Sequence, residues 1–148
     1  MTRAGERPPV DLDQDEVTEE VVALVDGLMA RISSHIQAGL AQFGLSGPEA
    51  RALLELEPDG SLSMRELAVK VQSSPSNLTV TVGRLEAKGL LERHGGDDRR
   101  VRSVHLTVHG RELRSDLRKR LATDHPAVQG LSRPQLITLL ELLRSLIA

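Results

Sequence analysis

The chain has 148 residues, enough for one domain with a core of its own. It has no Cys, which excludes thiol redox sensing, a disulfide framework and thiolate zinc sites, and its single Phe with no Tyr or Trp leaves almost nothing to stack on bases, as single-strand nucleic-acid binders do. The formal charge of −2 hides a skew: residues 1–60 carry net −8 and residues 84–120 net +5, as expected of a chain that turns one face to a polyanion.

Residues 1–14 contain Arg3, Arg7 and two prolines without an apolar run, and are expected to form a flexible tail, not a signal peptide. No stretch of the sequence is apolar for long enough to cross a membrane, so a cytoplasmic protein is expected. A first helix is predicted over Asp15–Ala41. Val17, Val21, Leu24, Leu28, Ile32, Ile36 and Leu40 recur along one face of it, and Asp13 with Glu16 supplies the start signal. Ser46-Gly-Pro-Glu49 is a capping box with Pro in the first turn and opens a second helix, which Pro58-Asp-Gly60 stops. After a strand-like Ser61-Leu62, Ser63-Met-Arg-Glu66 opens a short third helix carrying Leu67, Ala68 and Val71. Ser74 as N-cap and Pro75 at the first helical position start a fourth helix, Pro75–Lys88, which Gly89 ends.

Only a few residues join the third and fourth helices, which is helix-turn-helix spacing. Leu78, Val82 and Leu85 share one side of the fourth helix and are expected to pack inward. The opposite side carries Ser76, Val80, Gly83 and Arg84, with Asn77 at its edge. In a major groove Asn can bond adenine through two contacts, Arg can take guanine or a phosphate, Ser can take either, and Val80 would suit a thymine methyl. A purely structural role is open as well: Ser76 and Asn77 would then serve the first helical turn as extra caps.

Two strand-like runs, Leu90–His94 and Val101–Thr107, flank the turn signal Gly95-Gly96-Asp97-Asp98, with Arg99, Arg100 and Arg102 on its far side. A hairpin with a basic tip after a polar helix has the form of a wing, whose arginines can enter a minor groove. A solvated surface hairpin is the plainer alternative. Thr107 caps a fifth helix with Leu113, Leu117 and Leu121, and Ser132-Arg-Pro-Gln135 opens a last one. Residues 136–147, LITLLELLRSLI, hold eight apolar positions of twelve, too many for one buried stripe, so burial against a second copy is expected.

This order of elements resembles the MarR family of bacterial transcriptional regulators. Asp98-x-Arg100-x-x-x-Val104-x-Leu106-Thr107-x-x-Gly110 matches the family's wing signature, Arg84–Arg93 is similar to its helix end and first strand, and Ser76–Thr79 to the start of its recognition helix in one branch. Val80, Gly83 and Pro75 depart from residues common in the family, which leaves the operator sequence open. The resemblance implies a mainly α fold with a small β-hairpin wing: six helices, dimeric, with 15–45 and 108–148 as dimerisation helices and 46–107 as the winged helix-turn-helix lobe. It implies a homodimer that binds double-stranded DNA at a pseudo-palindromic operator, commonly as a repressor released by a small-molecule effector. Ser74, Ser76, Asn77, Val80 and Arg84 on the helix and Arg99, Arg100 and Arg102 on the wing are then the DNA-binding residues. Arg100 is the minor-groove probe, and Asp98 braces it. Effectors in the family enter between the dimerisation helices and the DNA-binding lobe, where His35, Phe43 and Arg51 are the candidate lining, Arg51 suiting an aromatic carboxylate.

No HExxH, P-loop or GxGxxG occurs, and no enzyme activity or cofactor is expected. Some relatives bind zinc, which makes a metal-responsive regulator an alternative. His105 should lie on a strand and His109 in the helical turn after it, so helical i, i+4 ligand geometry fails and no metal is expected. The other alternative is a winged-helix module that binds protein alone, which would have no need of an arginine tip.

Overall fold

The computed structural model describes residues 13–95 and 102–147. Within them the chain forms α1 (Gln14–Gln42), α2 (Gly47–Glu55), β1 (Ser61–Ser63), α3 (Met64–Val71), α4 (Pro75–Ala87), β2 (Leu91–Gly95), β3 (Arg102–Leu106), α5 (Val108–Ala122) and α6 (Arg133–Ile147). The wing residues Asp98, Arg99 and Arg100 lie outside the described residues, as does the expected tail up to residue 12. Asp13 and Gln14 do not belong to a tail. The Asp13 carboxylate accepts from Asp15 N and Glu16 N while Glu16 returns a bond to Asp13 N, and this reciprocal cap starts α1 at Gln14.

The other helix starts follow the same chemistry. Ser46 and Glu49 close a capping box on α2, and Ser63 and Glu66 close one on α3. At Ser132 the box is only half made: Gln135 Oε1 accepts from both the backbone N and the hydroxyl of Ser132. The sheet has the order β1-β3-β2, antiparallel throughout, with Leu62 opposite Val104 and Arg93 opposite Val104 on its other side. β2 starts one residue later than the sequence suggests, because Leu90 closes the end of α4 instead, its N–H bonding the Leu85 carbonyl.

The core lies where α2, α3, α4 and the sheet meet. Leu53, Leu56, Leu67, Leu78, Val82, Leu85, Val104 and Leu106 are buried there, and α5 adds Leu117. It is aliphatic, with Phe43 only partly buried at its edge. α1 meets this lobe at its C-terminal end: Leu40 is buried, Gly39 lies against Leu121 of α5, and Arg120 Nε bonds Gln42 Oε1 at 3.0 Å. Along the rest of its apolar stripe Val21, Leu24 and Ile36 are exposed, Leu24 by 65%, and Val17, Leu28 and Ile32 are half-buried. Within the single chain α6 buries no residue, and Leu146 is 80% exposed. No described helix is long and apolar enough to cross a membrane.

Candidate nucleic-acid interface

The turn between α3 and α4 sets the angle of the second helix. Gln72 takes a left-handed conformation (φ 51°, ψ 47°), and Ser73 N reaches back to the Ala68 carbonyl at 3.0 Å. Ser74 then caps α4, its hydroxyl accepting from Asn77 N at 3.3 Å, with Pro75 in the first turn where a missing N–H costs nothing. Leu78, Val82 and Leu85 are buried, which orients the helix.

The opposite face therefore points outward. Ser74, Ser76, Asn77, Val80 and Arg84 are all exposed, Val80 by 53%. Thr79 and Thr81 bond the carbonyls of Pro75 and Asn77 at 2.9 and 3.0 Å, so their hydroxyls are occupied along the helix. Among the hydrogen bonds of the described residues Asn77 contributes only its backbone; Ser74 does the capping.

The end of α4 is a joint. Gly89 N bonds the Glu86 carbonyl and Leu90 N bonds the Leu85 carbonyl, at 2.8 and 2.9 Å, with Gly89 at φ 69°. This is the paired closure in which a residue without a Cβ takes the left-handed position at least cost. The Thr107 hydroxyl donates to the Gly89 carbonyl at 2.7 Å and accepts from Gly110 N at 2.9 Å, while Thr107 N bonds the Leu90 carbonyl at 3.1 Å. Gly110 packs so closely on the Leu90 carbonyl that a Cβ there would collide with it. The Leu106-Thr107-x-x-Gly110 segment thus ties α4, the hairpin and α5 together.

In the hairpin Gly95 pairs with Arg102, so Arg102 opens β3 at the described end of the wing. Arg93, in mid-strand, pairs with Glu86 of α4 at 3.1 Å. The exposed sheet face carries His94 and His105 with ring centroids 4.7 Å apart, His94 also 3.1 Å from Glu92. His105 lies on β3 and His109 in the first turn of α5, as the sequence indicates. Among the described residues no group of three His, Cys, Asp or Glu could hold a metal ion.

The three candidate effector residues stand in different surroundings. His35 Nε2 donates to the Leu121 carbonyl at 3.1 Å and its ring meets that of His125 edge-on, so it serves the α1–α5 contact. Phe43 packs on the core. Arg51 is exposed on α2 and lines a cleft of about 360 Å³ with Pro48, Val71, Gln72, Ser73 and Thr81. Sequence periodicity places each residue on its helix but not the helices against one another. Glu86 and Arg93 escaped the sequence reading for the same reason: their pairing spans a turn whose geometry no local pattern states.

Residues 43–100 match the family model described as MarR family. The HTH-type transcriptional repressor MdtR of Bacillus subtilis (strain 168) is 29% identical over 97 residues, which are 65% of this chain and 63% of that protein. The alignment thus spans less than two thirds of the curated relative's length. The crystal structure of the YusO protein from Bacillus subtilis has the same fold, with a TM-score of 0.81 at 22% identity over 92% of this chain and 98% of that one. Wild-type MarR from E. coli in its apo form gives a TM-score of 0.74 at 19% identity, covering 85% and 95% of the two chains. Residues 43–100 thus resemble the MarR family, and the fold of the described residues is that of the solved MarR structure.

Proposed function

We propose that the protein is a transcriptional repressor that binds a pseudo-palindromic duplex operator as a homodimer and is released by a small ligand. The two-sidedness of α4 carries this reading. Its inner side is fixed in the core by Leu78, Val82 and Leu85, and its outer side offers Ser76, Asn77, Val80 and Arg84 beside the wing. An exposed valine among short polar side chains and one cation is a poor solvent face and a good groove face. Ser74, Arg99, Arg100 and Arg102 would add phosphate and minor-groove contacts, with Asp98 bracing Arg100.

The second copy is argued from area. Much of the apolar stripe of α1 and nearly all of α6 are uncovered in the single chain, Ile147 by 82%. Burying both against a two-fold partner removes a patch too large for a monomer to expose. For the effector, Arg51 and its cleft suit a small carboxylate, and the cleft borders the turn that sets the angle of α4. The regulator acts without catalysis in this reading.

The test is a protection assay on the DNA upstream of the protein's own gene, with binding to random duplex followed across a salt series. Two protected half-sites centred about one helical turn, ~34 Å, or a multiple apart are expected. Equal affinity for that region and for random duplex would remove the operator. The absence of any salt-dependent binding would remove DNA as the partner.

A further inference from the structure

We propose that Glu86 and Arg93 form a strut that fixes the angle between the recognition helix and the wing, and so act as positioning residues for operator binding. The inference rests on the DNA-binding reading above and assigns a role to two residues that need not touch DNA.

Glu86 lies in the last turn of α4 and Arg93 at the centre of β2. The carboxylate and guanidinium meet at 3.1 Å with side chains only 32% and 22% exposed. Arg93 Nε is buried without a partner among the described residues, so the guanidinium is held by its surroundings as well as by the carboxylate. An enclosed arginine with one unsatisfied N–H is costly. A structural hairpin could bury an aliphatic side chain there at lower cost.

The joint at Gly89 and Leu90 holds the chain where the helix ends, but the hairpin projects beyond it as a lever. A second point of attachment, on the strand itself, resists rotation about that joint. Apolar packing of Leu91, Val104 and Leu106 with Leu78, Val82 and Leu85 supplies one at the base of the sheet, and the Glu86–Arg93 pair adds a directional one beside it. A cleft of about 580 Å³ opens between α3, α4 and β2, bordered by Met64, Ala68, Val69, Pro75, Thr79 and Arg93. Arg93 borders that cleft and turns its guanidinium to Glu86 in the last turn of α4, which bridges strand to helix. Helix and wing are two binding elements on one scaffold, and holding their relative angle removes an ordering cost from the bound state.

Glu86→Gln gives the test its sign. The substitution removes a negative charge from a protein that binds a polyanion, so electrostatics alone makes DNA binding tighter. The strut makes operator binding weaker, on the order of tenfold, within the range found for coupled neighbours. Full-length protein is titrated with the protected operator and with random duplex, and thermal midpoints are measured alongside. The expected result is weaker operator binding, unchanged or tighter random binding, and recovery when Glu86→Arg and Arg93→Glu are combined, relative to either alone. Should Glu86→Gln not fold, the charge-reversed pair carries the test by the same comparison. Operator binding that is unchanged or tighter in Glu86→Gln, or a reversed pair no better than its single variants, would overturn the strut alone. A wild-type protein that shifts no duplex at any salt would overturn the DNA-binding reading and the strut with it.

Discussion

Lys88 Nζ stands 2.9 Å from Glu49 Oε1 and 2.8 Å from the Gly44 carbonyl, so the C-cap of α4 is pinned to the corner between α1 and α2. Glu49 is nearly fully buried, and its other oxygen accepts from Ser46 N at 2.7 Å. Burial pushes its carboxyl up. The Ser46 backbone N–H, Lys88 and the Ser46 hydroxyl together outweigh that and hold it below the usual carboxylate value.

A pH dependence follows from this pair. A carboxylate whose pKa is lower folded than unfolded stabilises the fold above the unfolded value, and the contribution disappears as pH falls through the folded one. Glu49→Gln should cost about 1–3 kcal/mol at neutral pH, since it discharges the partner of a half-shielded lysine. Urea unfolding of both proteins should show the difference shrinking below the ordinary carboxylate range. A gap of constant size down to acid pH would mean that the pair acts through shape alone.

Gly110→Ala should be among the most damaging single changes. Its Cβ would run into the Leu90 carbonyl, a backbone group already engaged by Thr107 N. Relief requires moving the joint between α4, the hairpin and α5, at a cost of about 2–4 kcal/mol. Thermal unfolding should show a large drop or failure to fold, with DNA binding lost in proportion.

Gly83→Ala should do the opposite. Gly83 lies inside α4, and nothing stands within 4 Å of the place a Cβ would take. Alanine should raise stability by about 0.5–1 kcal/mol through helix propensity. Operator affinity should stay unchanged. A more stable variant that binds the operator weakly would show that the glycine is kept for close approach to the duplex.

Local chemistry explains why so much of this fold was legible in the sequence. Asp13 with Glu16, Ser46 with Glu49 and Ser63 with Glu66 each announce a helix within four residues, and each forms its reciprocal bonds. The inward side of α4 follows from spacing in the same way, as does the outward side of Val80. What spacing cannot state is which elements meet. Lys88 finds Glu49 across 39 residues, and His35 finds Leu121 across 86. That is why His35, Phe43 and Arg51 look alike as candidates in the sequence yet stand in three different surroundings in the fold.

Leu139→Glu with Leu143→Glu tests the second copy. Leu143 is 43% exposed and α6 buries no residue within the chain, so two carboxylates there should leave the DNA-binding lobe folded. Light scattering at micromolar concentration should find a dimer for the parent chain and a monomer for the variant, with far-UV circular dichroism changed little. A parent chain that scatters as a monomer would remove the dimer and, with it, the two-fold operator.

Ser74 and Asn77 separate capping from reading. The Ser74 hydroxyl accepts from Asn77 N, so Ser74→Ala should cost about 1 kcal/mol of stability and weaken binding to every duplex by a similar factor. The exposed Asn77 makes only backbone bonds among the described residues, so Asn77→Ala should leave the thermal midpoint nearly unchanged. Its loss should appear on the operator alone, roughly 1–3 kcal/mol if the amide bonds an adenine edge, with discrimination relaxed at one base position of each half-site. The slope of affinity against salt should not change, because no phosphate contact is removed. Equal losses on operator and random DNA, or a lowered midpoint, would make Asn77 a part of the helix start and leave Val80 and Arg84 to read the groove.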